Sequence, residues 1–271
     1  MEETTTNDDL DRFLTGAAKY AAYLETFEGR LRIDLAFANL QEFLPQGAQP
    51  LRALDIGGGT GVTAVRLAQL GLHVTLLDES QPMLDLAKRS ANEAGVTERL
   101  TLKQVNAAQL ANLFPAGSFD VILCHNVLEF VDDPCAVLQS AAPLLRESSS
   151  ILSVLVRNQA GEVLKSALLN GDLAAADHEL ASEWGNESLY GGRVRLFTPK
   201  SLRHMLLESY FAVAAERGVR VISDYLPAAI SRTDEYERVF ELERKLGCRP
   251  DFASVARYTQ CLAHRADAVV L

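Results

Sequence analysis

No stretch of this chain approaches the ~20 consecutive apolar residues that a membrane-crossing helix needs. Cysteine is scarce: Cys124, Cys135, Cys248 and Cys261 lie scattered, without a C-x-x-C pair. That excludes a disulfide scaffold and a zinc knuckle and predicts a reduced, cytoplasmic setting. The N-terminal stretch MEETTTNDDLDRF lacks the basic segment and apolar run of a signal peptide, so none is expected. Positive charge is in the minority, with 26 Lys and Arg against 36 Asp and Glu, for a net charge of −10. Such a field does not draw in nucleic acid, so a polyanion has to be held by a local basic patch. Neither DNA nor a membrane is an expected partner. Repeats and low-complexity tracts are absent. What is present is globular material: 271 residues, 48% hydrophobic and 23% charged. That is enough for a full core in one large α/β domain or two small ones.

The apolar pattern predicts a helical N-terminal segment over residues 1–50, with two short helices between Phe13 and Phe43. The rest, 51–271, alternates. Strands are expected at Leu51–Ile56, His73–Leu77, Leu100–Val105, Phe119–Cys124 and Ile151–Val156, with helices at Thr63–Leu70, Gln81–Ala94 and Pro134–Leu145. This alternation predicts a doubly wound, mostly parallel sheet. After Arg157 the rhythm changes. Residues 158–198 show no strand-like run, and they read as an insertion lying over the ligand end of the sheet. Thr198 and Pro199 start a further helix. Phe211–Glu216 and Val219–Ser223 read as strand pieces, Asp234–Leu246 as an amphipathic helix and Tyr258–His264 as a closing strand.

The chemistry-bearing segment is Asp55-Ile56-Gly57-Gly58-Gly59-Thr60-Gly61, between a strand and a helix. Glycines there permit positive φ and let a ligand lie against the backbone. A phosphate-binding P-loop would end in Gly-Lys-Ser/Thr, and here Gly61 is followed by Val62 and Thr63. The dinucleotide fingerprint wants a glycine at 62, where valine stands. The D-x-G-x-G-x-G form that is left, Asp55, Gly57, Gly59 and Gly61, resembles the first motif of class I S-adenosylmethionine-dependent methyltransferases. Their fold is a Rossmann-like seven-stranded sheet. Asp78, at the end of the second strand, can accept from both ribose hydroxyls, and would serve NAD equally well. By the same pattern, Ala107 and Ala108 after Asn106 meet the adenine edge through the backbone, and His125 borders the sulfonium end. Singly, each feature has a plainer use: a tight turn, a helix N-terminal acid, a packed histidine. They occur together, in order, at successive strand ends.

A narrower likeness rests on Gly29-Arg30-Leu31-Arg32, the three consecutive glycines 57–59, Ala107-Ala108-Gln109, His125-Asn126-Val127-Leu128-Glu129-Phe130 and Gly218–Leu226. Through these the chain resembles the bacterial tRNA 5-carboxymethoxyuridine methyltransferases. The resemblance implies S-adenosyl-L-methionine as cofactor, the carboxylate of a wobble uridine as acceptor, and a tRNA anticodon loop as partner. It places Arg32 against the methionine carboxylate. A guanidinium should hold the acceptor carboxylate, and Arg220 and Arg195 are the candidates. One departure stands out. Where family members carry a lysine-rich run, this chain has the acidic Ala176–Trp184 stretch. Six basic residues against two acidic ones between 190 and 220 give a local +4. Trp184 and Tyr190 could stack on a splayed base. A small-molecule acid as acceptor, or a cofactor-binding protein without catalysis, are the alternatives.

Overall fold

The computed structural model describes residues 7–46, 50–187, 189, 191–227, 230 and 234–266, with side chains from Gly16 onward. Two helices come first, α1 (Asn7–Leu24) and α2 (Phe27–Gln41). Thr26 separates them, its hydroxyl capping α2 by accepting the Gly29 N–H at 3.1 Å. The alternating half follows: β1 (Arg52–Ile56), α3 (Val62–Gln69), β2 (His73–Asp78), α4 (Gln81–Glu93), β3 (Leu100–Gln104), β4 (Val121–His125), α5 (Pro134–Ala141) and β5 (Ile151–Arg157). Next come α6 (Gln159–Leu164), a π-helical turn over Lys165–Leu169, α7 (Leu173–Ala181), β6 (Trp184–Asn186), β7 (Arg193–Arg195) and α8 (Pro199–Glu208). The chain closes with β8 (Phe211–Val219), α9 (Tyr236–Gly247), α10 (Pro250–Ala253) and β9 (Tyr258–Arg265). Among the described residues no helix is long and apolar enough to cross a membrane.

The main sheet has seven strands in the order β3-β2-β1-β4-β5-β9-β8. β3 through β5 are parallel, and β9 is antiparallel to both of its neighbours. The central strands are apolar on both faces because both faces are covered. Leu54, Ile122, Cys124, Leu152 and Val154 pack with α5 and α8. Ala53, Val121, Leu123 and Ile151 pack with α3 and α4 on the other side. The α2 residues Leu31, Leu35 and Ala36 share a third cluster with Leu155, Val219, Tyr236, Val239 and Tyr258.

Three expectations need correction. The segment 158–198 does contain strands: β6 and β7 form an antiparallel ribbon, each only three residues long, too short to show alternation. Phe211–Glu216 and Val219–Ser223 are not two pieces. One strand ends at Val219, and Ser223–Tyr225 is a 3-10 turn. Gly218 lies inside β8, where only a glycine fits: a Cβ there would sit 2.7 Å from the Ala253 Cα of α10. The helix expected to reach Leu145 stops at Ala141, and Pro143 lies in a 3-10 turn.

Candidate active site

Strand register assembles the site. Ile56 pairs with Leu77 and with Cys124, so Gly57, Asp78 and His125 meet at the C-terminal ends of three parallel strands. Further along the sheet Arg157 pairs with Tyr258, and Val219 pairs with the same Tyr258. One antiparallel strand thus brings the ends of β5 and β8 together around its own first residue. A cavity of about 470 Å³ runs between the two groups.

The glycine end is built from backbone. Gly57, Gly59 and Gly61 all have positive φ (62°, 54° and 75°), but their uses differ. Gly57 and Gly59 line the cavity. A Cβ on Gly59 would find only Tyr20 at 3.6 Å and Met83 at 4.0 Å, so that position opens onto free space. Gly58 and Gly61 serve packing: a Cβ on Gly58 would meet Asp55 and Leu76, and one on Gly61 would press Ala87 of α4 at 2.8 Å. The Asp78 carboxylate takes the Gly59 N–H at 2.8 Å on one oxygen and the Ser80 N–H at 2.9 Å on the other. It faces the cavity with lone pairs to spare.

His125 lines the wall beyond β4. Gln260 donates to the Ser153 hydroxyl at 3.0 Å, while Gln260 Oε1 accepts from Asn39 at 2.9 Å. His125 Nε2 lies 2.8 Å from that same Ser153 hydroxyl, within hydrogen-bond distance. Burial, aided by the Arg32 charge, pushes His125 down to about 3, so the imidazole is neutral.

The other end is rich in arginine. Arg32 is buried, donating to Asn126 Oδ1 and to the Tyr20 hydroxyl, both at 2.9 Å, with the Tyr20, Tyr23 and Tyr258 rings around it. Its Nε–H has no acceptor among the described residues, an uncommon state for a buried donor. Arg157 pairs with Glu162 and Glu187, Arg257 with Glu162 and Asp224, and Arg220 with Asp224 while donating to the Tyr23 hydroxyl at 3.0 Å. Burial alone would raise the Tyr258 hydroxyl. The guanidiniums of Arg32, Arg157, Arg220 and Arg257 outweigh it and bring the group down to about 8. With Lys165, five cations meet the carboxylates of Glu162, Glu187 and Asp224 at this end of the cavity.

Arg220 is held there by force of backbone geometry. Its φ is 62°, a region that costs a non-glycine residue ~1 kcal/mol or more. The following turn is fixed by Glu243 of α9, fully buried, whose carboxylate accepts the N–H groups of Val221, Ile222 and Ser223 at 2.5, 3.0 and 2.7 Å.

Residues 27–216 match the family described as a methyltransferase domain. The tRNA 5-carboxymethoxyuridine methyltransferase of Escherichia coli K12 is 31% identical over 247 residues, covering 89% of this chain and 90% of that protein. The chain belongs to this family of S-adenosylmethionine-dependent methyltransferases. The ubiquinone biosynthesis O-methyltransferase of Xanthomonas axonopodis is 33% identical over 135 residues, 49% of this chain and 53% of that one. Among solved structures, Burkholderia thailandensis 1,6-didemethyltoxoflavin-N1-methyltransferase, bound to its substrate and S-adenosylhomocysteine, shares the fold. Its TM-score is 0.58 at 17% identity, covering 98% of this chain and 93% of that one.

The methyltransferase's own residues fit its cofactor. Gly59 presents a bare face, Asp78 outward lone pairs and buried Arg32 an unmatched Nε–H, donors and acceptors of the kind such a molecule needs. Of the residues picked from sequence, Arg32, Gly57, Gly59, Asp78, His125 and Arg220 line one cavity. Asp55, Gly58 and Gly61 shape the loop from behind. Ala107 and Ala108 lie in a 3-10 turn outside the lining, and the Ala108 N–H is taken by Asn106 Oδ1 at 2.8 Å. Arg195 is not in the lining: its guanidinium lies over the Trp184 ring, 5.0 Å from the centroid. Tyr190 lies outside the described residues. Sequence reasoning passed over Arg157, Lys165 and Arg257 as cavity residues. For Arg157 and Arg257 the signal was an arginine at the end of a strand run; Lys165, in the π-helical turn, carried none.

Asp55 and His125 make opposite demands on stability. Burial, with the Asp78 charge, pushes the Asp55 carboxyl up to about 7 from 3.8, whereas His125 falls to about 3 from 6.5. As pH drops from 7 to 5 the unfolded chain protonates the histidine and the folded chain does not, so stability falls. Over the same interval the folded chain protonates Asp55 and the unfolded chain does not, so stability rises. Each effect is about 2 kcal/mol. Wild type should therefore be nearly level between these pH values as far as this pair is concerned. His125→Asn should gain about 2 kcal/mol at pH 5 relative to pH 7, and Asp55→Asn should lose about as much. Urea midpoints at the two pH values check this; variants that shift in the same direction would contradict it.

Proposed function

We propose that this methyltransferase esterifies the carboxylate of 5-carboxymethoxyuridine at the wobble position of tRNA, in the cytoplasm. The observation that carries the reading is the arginine end of the cavity. Five cations gather there, and Arg32, whose hydrogen-bond partners Asn126 and Tyr20 are both neutral, has no carboxylate partner of its own among the described residues; the cluster suits further anions, the methionine carboxylate and the acceptor carboxylate. Arg32, with its unmatched Nε–H, suits the first. Arg220 and Arg157, held rigidly on either side of Tyr258, suit the second.

When bound, S-adenosylmethionine supplies an electrophilic methyl group on a sulfonium. The residues of the chain have little proton chemistry to do. A carboxylate of pKa near ~4 is already ionised at neutral pH, so no general base is required. Gly57 and Gly59 admit the nucleoside, Asp78 holds the ribose hydroxyls and neutral His125 borders the reaction centre without adding charge. Ala107 and Ala108 are proposed for the adenine edge through the Ala107 N–H, since the Ala108 N–H is engaged. The arginines aim the acceptor oxygen, and the buried walls keep water out.

The test is mass analysis of nucleosides from tRNA incubated with the enzyme and isotopically labelled cofactor. Label in a methyl ester of the wobble uridine is expected. A second reading, a small-molecule acid as acceptor, is favoured by the acidic stretch Ala176–Trp184 and the net charge of −10. Label in small acids and none in tRNA lacking the ester would establish it instead.

A further inference from the structure

We propose that the outward face of the β6–β7 ribbon is a second contact site for single-stranded RNA. It stacks one nucleobase on Trp184 and holds the neighbouring phosphates with Arg193 and Arg195. The inference rests on the RNA acceptor proposed above and concerns a different surface from the reaction cavity.

The ribbon has two unlike faces. Gly185 and Val194 point inward and are buried, with Leu196 against Gly185. In register, Trp184 pairs with Arg195 and Asn186 with Arg193, so these four side chains share the opposite face. Both guanidiniums lie over the indole, 4.3 and 5.0 Å from its centroid. Neither has a carboxylate within ion-pair reach among the described residues. Arg195 also donates to the Val131 carbonyl at 3.4 Å; it and Arg193, two arginines without a carboxylate partner on one aromatic ring, form a local anion site beside the acidic Ala176–Trp184 stretch. Beside them lies a cavity of about 260 Å³ lined by His178, Ser182, Trp184, Gly185, Asn186 and Arg193.

The ribbon is tied to the reaction site. The Arg195 N–H donates to the Glu129 carbonyl at 3.1 Å, in the loop that follows His125. Glu187, the residue after β6, pairs with Arg157, and Leu189 lines the reaction cavity. An RNA strand with one nucleoside in that cavity would pass a neighbour across the ribbon. An acidic peptide would use the arginines alone. An RNA base also uses the part of the indole that the guanidiniums leave bare toward the 260 Å³ cavity, where its edge meets the Asn186 amide and His178.

Trp184 is the single tryptophan of the chain, so its emission reports this face directly. The full-length protein is titrated with a single-stranded oligouridylate and with an unmodified anticodon stem-loop. Saturable quenching is expected, weakened by salt. In anisotropy with labelled RNA, the double variant Arg193→Ala/Arg195→Ala should bind at least about tenfold more weakly, with a salt slope smaller by roughly 1.4. Trp184→Ala should also bind about tenfold more weakly and raise KM for tRNA, leaving kcat and S-adenosylhomocysteine affinity unchanged. If tRNA binds and is methylated while Trp184 emission stays constant and both variants behave as wild type, this site is refuted and the acceptor stands. If tRNA neither binds nor is methylated, both proposals fall. Quenching by polyglutamate equal to that by RNA would overturn the RNA assignment in favour of an acidic peptide.

Discussion

Gly59→Val should abolish S-adenosylhomocysteine binding, by roughly a hundredfold or more, while the protein still folds. The distinction follows from where the new atoms go. A Cβ at this position meets only Tyr20 at 3.6 Å and Met83 at 4.0 Å, so nothing in the protein resists it. The φ of 54° makes a β-branched residue strained, at a cost of roughly 1–2 kcal/mol, which a domain of this size tolerates. The valine methyls, however, occupy the cavity beside the Asp78 carboxylate. Gly61→Val is the contrast, since its Cβ presses Ala87 at 2.8 Å and the damage should appear as lost stability. Asp78→Ala, which leaves the space open but removes the acceptor, should weaken binding by at least about tenfold. Calorimetry with S-adenosylhomocysteine, alongside thermal melts, separates the three. A Gly59→Val protein with normal affinity would show that the nucleoside lies elsewhere.

Glu243→Gln should lower stability although the residue lies outside the cavity lining. Three backbone N–H groups converge on that carboxylate, fully out of water. The amide oxygen can keep the Ile222 and Ser223 N–H groups that meet Oε1, but its NH2 then faces the Val221 N–H that meets Oε2. Leaving that buried N–H unmatched, donor against donor, costs about 1–3 kcal/mol. The turn it holds sets the left-handed backbone at Arg220, so the folded fraction should also lose turnover. Cofactor affinity, assigned to the glycine loop, Asp78 and Arg32, none of which touches this turn, should stay near wild type. Urea denaturation, with turnover and S-adenosylhomocysteine binding measured on the folded protein, checks this. Stability within about 1 kcal/mol of wild type would show that the turn holds itself.

The glycine loop, Asp78 and His125 were legible in the chain because local rules govern them. Positive φ demands glycine, a strand end demands a turn, and parallel strands in register bring their ends to one edge. The same rules gave the α/β alternation. They do not determine which glycine faces a ligand: Gly58 and Gly61 look like Gly57 and Gly59 until α4 and β2 are packed against them. The arginine end was beyond local reading. Arg32, Arg157, Arg220 and Arg257 come from α2, β5 and the turn regions flanking β8 and β9, segments as much as 225 residues apart. Only the antiparallel placement of β9 between β5 and β8 sets them around Tyr258. A separate pairing, the β6–β7 ribbon, placed Arg195 on the Trp184 ring, outside the cavity lining. Sequence periodicity acts over a few residues and so determined the longer strands and helices of the alternating half and the glycine loop between β1 and α3. Strand order is a property of the whole packed chain, and it alone decided which charges share a cavity.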